Sequence, residues 1–275
     1  MSDAGGAAAP DAPDTPDLER RFGGVRRLHG SAVFRRFQRA RVVVAGLGGV
    51  GSWAAEALAR SAIGAITLID LDMVAESNVN RQIHALDGAF GKPKVDAVAA
   101  RIRGVNPVCR VETIEDFVTP ENVPALIGRD FDYLIDAIDQ VRAKAAMIAW
   151  CVWNGLPLVT AGGAGGQSDP ARIGIADLAR AVQDPLLAKV RSRLRKEHGF
   201  TRDPGKKFGV PAVFSTEPVR LPEPEQENAC AAPAAPAGLN CAGYGSSVCV
   251  TATFGLFAAS AALRHVAGAG TDADR

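Results

Sequence analysis

The chain has 275 residues, 47% of them apolar, which is enough for a substantial core and excludes fibrous, collagen-like and wholly disordered readings. With 31 Lys and Arg against 30 Asp and Glu the net charge is +1, so the totals favour neither a polyanion binder nor a trap for acidic ligands. Only seven of the cations are Lys, so charge is solvated and paired here mainly by Arg, and each Lys stands out as a compact charge with three donors.

Residues 1–18 are rich in Ala, Gly, Pro and Asp, lack the basic start and apolar middle of an export signal, and are expected to form a disordered tail. One domain is expected over 19–268, with an irregular second half over 162–268 and a short tail over 269–275. A basic helix is predicted from about 18 to 41, with Val33, Phe34 and Phe37 on its apolar side. Residues 42–45 read as a strand buried on both faces; the Gly-rich turn 46–51 follows, then a helix over 52–62. Further strands are predicted over 65–72, 110–115, 133–139 and 156–161, with helices over 94–105 and 140–154. This alternation predicts an α/β, Rossmann-like, doubly wound and mostly parallel sheet. Beyond Gly162 the pattern loosens into a helix over 177–198, extended chain over 210–221, a Pro/Ala-rich loop over 222–240 and an apolar helix over 245–266. The stretch 242–263 carries no charge, but its Gly, Ser and Thr content favours a core helix, and membrane association is not expected. Cysteines 109, 151, 230, 241 and 249 form no C-x-x-C pair, so no zinc is expected, and their odd number without an export signal points to reduced thiols in the cytoplasm.

Gly46-x-Gly48-x-x-Gly51, between a strand and a helix, lets backbone amides and a helix N-terminus approach a phosphate. Asp70 follows at the spacing where a carboxylate reaches ribose hydroxyls. These residues point to a nucleotide and leave its identity open between a nicotinamide-dependent oxidoreductase, a non-catalytic nucleotide fold and a mere tight turn. Three further motifs shift the balance: Ser77-Asn78-Val-Asn-Arg81-Gln82, Gly91-Lys92-Pro-Lys94 and Asp136-Ala-Ile-Asp139. They place an Arg, two Lys and a carboxylate along the carboxyl edge of the sheet, where hydride transfer has no evident use for them. Arg81 and Lys94 can neutralise a polyphosphate, and Asp139, read at the end of the fourth strand, can hold Mg2+, which takes one or two carboxylates plus phosphate oxygens. Lys92, Lys94 and Lys144 are the only lysines before residue 189, which supports a chemical role for at least one of them.

Together the segments 44–52, Ile69-Asp70-Leu-Asp72, Asn78-Val-Asn-Arg81-Gln82, Gly91-x-x-Lys94 and Asp136-Ala-Ile-Asp139 resemble the adenylating domain of the ThiF/MoeB/HesA superfamily, relatives of ubiquitin-activating enzymes. Longer stretches at 51–60, 81–86, 116–122, 157–166 and 250–255 are similar to one branch of it, the tRNA threonylcarbamoyladenosine dehydratases, and the resemblance covers about residues 20–266. It implies a homodimeric tRNA-modifying ligase or cyclase that uses ATP and Mg2+. Such an enzyme adenylates the threonyl carboxylate of threonylcarbamoyladenosine beside the anticodon, and the carbamoyl group then closes a ring with overall loss of water. Carried over residue by residue, Gly46, Gly48, Gly49 and Gly51 hold phosphate, Asp70 the ribose with Asp72 beside it, Asn78 and Arg81 the polyphosphate, Lys94 the α-phosphate region and Asp139 the magnesium. Arg81, Lys94 and Asp139 form the catalytic set. A monovalent cation near 162–166 and a cysteine desulfurase or sulfur-acceptor partner stay open.

The runner-up, a sulfur-carrier-protein adenylyltransferase, commonly carries two C-x-x-C zinc pairs that are missing here. Where the superfamily often has Arg-Tyr-x-Arg-Gln, whose second Arg reaches the partner's site, this chain has Arg21-Phe-Gly-Gly-Val25, leaving Arg21, Arg26 and Arg27 as candidates. Cys230 and Cys241 match cysteines of the branch, but ring closure requires no thioester, and both are read as loop cysteines without catalytic duty. The segment from Lys189 to Lys207 holds Lys189, Arg191, Arg193, Arg195, Lys196, Arg202, Lys206 and Lys207 against Glu197 and Asp203. It is a candidate surface for tRNA phosphates, with a solvated helix face as the competing reading.

Overall fold

The computed structural model describes residues 16–128, 130–220 and 244–268. In chain order the elements are α1 (Leu18–Arg39), β1 (Arg41–Ala45), α2 (Gly51–Arg60), β2 (Ala65–Ile69), α3 (Lys94–Val105), β3 (Arg110–Ile114), α4 (Val123–Leu126), β4 (Tyr133–Asp136), α5 (Val141–Asn154), β5 (Leu158–Ala161), β6 (Ile173–Asp177), α6 (Pro185–Glu197), β7 (Pro211–Ser215) and α7 (Val248–Val266).

The run that predicts a doubly buried strand becomes β1, whose Val42, Val43, Val44 and Ala45 are fully buried. Parallel neighbours flank it, Val43 lying beside Thr67 of β2 and Leu134 of β4. The sheet order is β3-β2-β1-β4-β5-β7-β6, with only the edge strand β6 antiparallel, to β7. The chain steps outward from β1 through β2 to β3, then returns to the other side of β1 as β4. The winding therefore reverses between β1 and β4, and a crevice opens at their carboxyl ends. This is the doubly wound α/β fold expected from the sequence.

Helices cover both faces. α2, α3 and α7 bury Leu58, Ile102 and Phe254 on one, while α5 and α6 bury Ile148, Leu187 and Leu194 on the other. α7 has the length and apolarity of a membrane span, yet 44% of its apolar window is buried within the fold. Gly255 lets it lie directly on α2, since a Cβ there would stand 2.9 Å from Ala54 N and Trp53 Cβ.

Several element boundaries differ from the expected ones for local reasons. α1 is kinked at Gly30, which takes φ 81° and ψ 158°. Its start is capped by Asp17, which accepts from Arg20 N, so the helix begins at the residue expected to end the tail. β2 and β4 stop at Ile69 and Asp136, because the carboxylates of Asp70 and Asp136 accept from the amides of Asp72 and Ile138 and turn the chain. Asp139 therefore lies in the turn after β4 and not on the strand. The helix expected over 177–198 begins only at Pro185, where Asp184 caps it by accepting from Leu187 N, and the preceding residues form β6 and a 3-10 turn at Leu178–Arg180. The loop over 222–240 and the tails over 1–15 and 269–275 lie outside the described residues.

Candidate functional site

The Gly-rich turn joins β1 to α2 at the reversal point, and its glycines answer different demands. Gly46 has φ 86°, and a Cβ on it would stand 2.8 Å from Ala137 O; a Cβ on Gly51 would strike Gly46 O. These two are required by the chain's own packing. Gly49 is covered by the Arg81 stem and Thr251, whose Cγ and Cβ would each lie 3.1 Å from an added Cβ. Gly48 faces open space, with nothing within 4 Å of an added Cβ. The fold itself makes no demand for a bare backbone there. Beside it, α2 starts without a capping side chain, so no side chain of its own offsets the positive dipole end.

Asp70 staples this turn to β2, its Oδ2 accepting from Leu47 N at 2.5 Å and its Oδ1 from Asp72 N at 2.8 Å. Burial raises its pKa, and the nearby Lys94 charge opposes the rise. Lys94, at the start of α3, is 5% exposed and donates from Nζ to Asp72 Oδ2 at 2.7 Å. Asn78 is buried and its Oδ1 accepts from Ala75 N, holding the 3-10 turn Glu76–Asn78. Arg81 is fixed at both ends: its carbonyl accepts from Trp53 Nε1 at 2.9 Å, and its Nη1 donates to Ser77 O at 2.9 Å and Asn80 Oδ1 at 3.0 Å. Thus the structure gathers Gly48, Asp70, Asp72, Asn78, Arg81 and Lys94 on loops following β1 and β2. Asp139 joins them from the turn after β4, half-buried, its carboxylate engaged by no hydrogen bond or ion pair among the described residues.

No group of three or more His, Cys, Asp or Glu among the described residues could hold a metal on its own. A single free carboxylate beside an anion cradle suits Mg2+, which takes few protein ligands and completes its shell with phosphate oxygens and water.

Sequence reasoning missed the buried machinery under this site. Lys144 is fully buried, and its Nζ donates to Asp136 Oδ1 and Ile138 O, each at 2.9 Å. Thr160 Oγ1 donates to Asp136 Oδ2 at 2.7 Å. The scarcity of Lys in the first two-thirds of the chain was the available signal. The third lysine of that group, Lys92, is exposed on the turn before α3.

The structure also places other residues singled out in the sequence. Of the basic segment, Arg191 donates to Leu178 O, Arg195 donates to Thr201 O and stacks 5.3 Å over Phe208, and Arg193 pairs with Glu197. Three of its eight cations thus serve the fold, while Lys189, Lys196, Arg202 and Lys206 are exposed. Arg21 donates to the Val105 carbonyl at the end of α3 in its own chain, and Arg26 pairs with Glu19. Around 162–166, Gly163 N donates to Asp184 Oδ2, and Gly166 binds Gly245 O and Arg220 N. Burial pushes the thiols of Cys109 and Cys151 up to about 11 and about 12, so neither is a ready thiolate; Cys230 and Cys241 lie outside the described residues.

The ThiF family matches residues 23–274 of the chain. The chain belongs to the ThiF family. Within that family it is 51% identical to the tRNA threonylcarbamoyladenosine dehydratase of Escherichia coli (strain K12) over 251 residues, 90% of this chain and 93% of that one. It is 48% identical to the Haemophilus influenzae enzyme of the same name over 245 residues, 89% of this chain and 92% of that one. Among solved structures, the E. coli tRNA N6-threonylcarbamoyladenosine dehydratase in complex with ATP is similar with a TM-score of 0.84 and 46% identity, over 95% of this chain and 100% of that one. The ThiF family thus supplies both the fold and a branch in which a solved relative holds ATP.

Proposed function

We propose that this chain is an ATP-dependent tRNA threonylcarbamoyladenosine dehydratase, a cytoplasmic ligase-type enzyme acting as a homodimer. The observation that supports the reading is the uncovered Gly48 backbone at the carboxyl edge of the sheet, the edge from which Arg81, Lys94 and Asp139 also arise, in a chain so similar to dehydratases along nearly its whole length. The threonyl carboxylate attacks the α-phosphorus of ATP and pyrophosphate leaves, forming an acyl-adenylate. The carbamoyl group then attacks the activated carbonyl and expels AMP, so the nucleoside closes a ring and loses one water overall.

Each residue's part follows from charge and position. Gly46, Gly48, Gly49 and Gly51 hold phosphate on the loop backbone and the α2 N-terminus. Asp70 has two amide donors already, yet each carboxylate oxygen keeps a further lone pair for a ribose hydroxyl, with Asp72 beside it. Arg81 and Lys94 stabilise charge at the phosphates, Lys94 by exchanging Asp72 for the α-phosphate region, while Asn78 fixes the turn that carries Arg81. Asp139 would hold Mg2+, which when bound offsets negative charge on the phosphate oxygens. Ring closure is intramolecular and needs mainly orientation.

The test is direct. Incubation with MgATP and tRNA bearing threonylcarbamoyladenosine, followed by digestion and mass spectrometry, is expected to show the nucleoside lighter by one water. An unchanged nucleoside, with ATP consumed instead on a carrier protein's C-terminal Gly-Gly, would overturn the proposal in favour of a sulfur-carrier activator.

A further inference from the structure

Beneath the site lies an ion pair to which no role has been assigned. The turn 136–139, which carries Asp139, has two neighbours. On its outer side it touches the phosphate loop, since a Cβ on Gly46 would stand 2.8 Å from Ala137 O and one on Gly51 would stand 3.3 Å from Ala137 Cβ. On its inner side it rests on Lys144, whose single ammonium donates to Asp136 Oδ1, to Ile138 O and, at 3.4 Å, to Asp136 O. All three donors of that ammonium are therefore committed to one turn. Asp136 is held in turn by Thr160 of β5, and its Oδ1 accepts from Ile138 N at 3.3 Å. Both charges of the pair are at 0% exposure.

A wholly buried ion pair is a weak source of stability, because desolvation offsets most of the attraction, and an apolar pair of similar volume commonly serves as well. What it provides is geometry: three fixed bonds that add to the hold of Ala137 N on Ala45 O at the strand end and pin the rest of the turn from below. We propose that Lys144 is a positioning residue for the nucleotide site, locking the turn 136–139 so that the Gly46 loop and the Asp139 carboxylate keep the spacing that a metal-bound triphosphate requires. The inference rests on the adenylating reading above. It assigns Lys144 no contact with substrate; its effect passes through the turn.

The test measures binding rather than turnover. Mn2+ in the presence of ATP is titrated into the full chain and followed by electron paramagnetic resonance, with circular dichroism as the check on folding. Wild type is expected to bind. D136N/K144M removes both charges together, keeps the Thr160 contact, and is expected to fold while the dissociation constant for Mn2+·ATP rises about tenfold or more, a loss of about 1.4 kcal/mol. T160V, which frees only one oxygen of Asp136, is expected to weaken binding by a smaller factor, and it decides the matter if the double variant fails to fold. I148A, a cavity one turn along α5, is expected to lower the melting temperature and leave binding unchanged in the folded protein. Wild-type affinity in the folded charge-removal variants would overturn the inference, as would an equal loss in I148A, which would make the effect one of general stability. Failure of wild type itself to bind Mn2+ with ATP would instead overturn the adenylating reading, and the inference with it.

Discussion

Gly48 and Gly46 stand two residues apart in one loop, and the same substitution at each should have opposite consequences. An added Cβ at Gly46 meets the Ala137 carbonyl at 2.8 Å on a backbone with φ 86°, so G46A should destabilise the fold itself, by about 1 kcal/mol or more. At Gly48 the same methyl meets nothing. G48A should melt as wild type does yet bind ATP at least about tenfold more weakly in calorimetry, because the methyl occupies the approach of the phosphate. Unchanged ATP affinity would place the phosphate elsewhere. Arg81 and Lys94 separate in the same way from their neighbours. Arg81→Ala and Lys94→Ala should each cut turnover by about a hundredfold or more in a single-turnover assay of nucleoside conversion, the scale of removing a fixed donor from developing charge. A rate within a few-fold of wild type would remove them from the site.

At the scale of the element, α6 with the loop after it shows why charge read from sequence overstates a binding surface. Eight cations in a row of nineteen residues look like one basic face, but a helix distributes them, and Arg191, Arg193 and Arg195 turn back onto Leu178, Glu197, Thr201 and Phe208. Arg193 meets Glu197 one turn along its own helix, but Arg191 and Arg195 find theirs at the turn after β6 and in the loop beyond α6, which no local spacing shows. If the exposed remainder meets tRNA, replacing Lys189, Lys196, Arg202 and Lys206 by Ala should weaken tRNA binding and flatten its dependence on salt by roughly one counterion for each phosphate no longer neutralised. ATP binding should stay intact, and the electrophoretic shift and the nucleotide titration read the two effects separately. Most strands and helices through Ala161 are legible because their apolar periods are local, down to the Lys94–Val105 helix, whereas the one-turn helix Val123–Leu126 is too short to show a period and the edge strand β3 is largely exposed. β6 was not legible, because an antiparallel edge strand carries only a half-buried pattern, and β7, which gives it a partner, comes more than thirty residues later.

For the molecule as a whole the site residues were legible and their support was not, because buried pairs such as Lys144 with Asp136 exist only once α5 lies under the sheet. The same hidden layer sets the response to acid. His84 is 3% exposed, and neither ring nitrogen has a hydrogen-bond partner among the described residues. Burial, with the charges of Lys94 and Arg101 adding to it, lowers its pKa from 6.5 to about 4. The folded chain thus refuses a proton that the unfolded chain accepts between those values, so stability is lost as pH falls from about 6.5 toward 4, by at most about 3 kcal/mol from this residue. Asp70 and Asp184 act with the opposite sign: burial raises both, so their protonation favours the fold as pH approaches the carboxylate range and offsets part of the loss at its acid end. The melting temperature should therefore fall as pH drops below 7, where His84 and His265, both lowered by burial, resist the proton that the unfolded chain accepts, and fall less steeply once the raised carboxylates take up protons. His84→Gln, unable to charge, should lower stability at neutral pH yet flatten that upper limb in calorimetric scans. A variant that keeps the full slope would assign the acid sensitivity to another group.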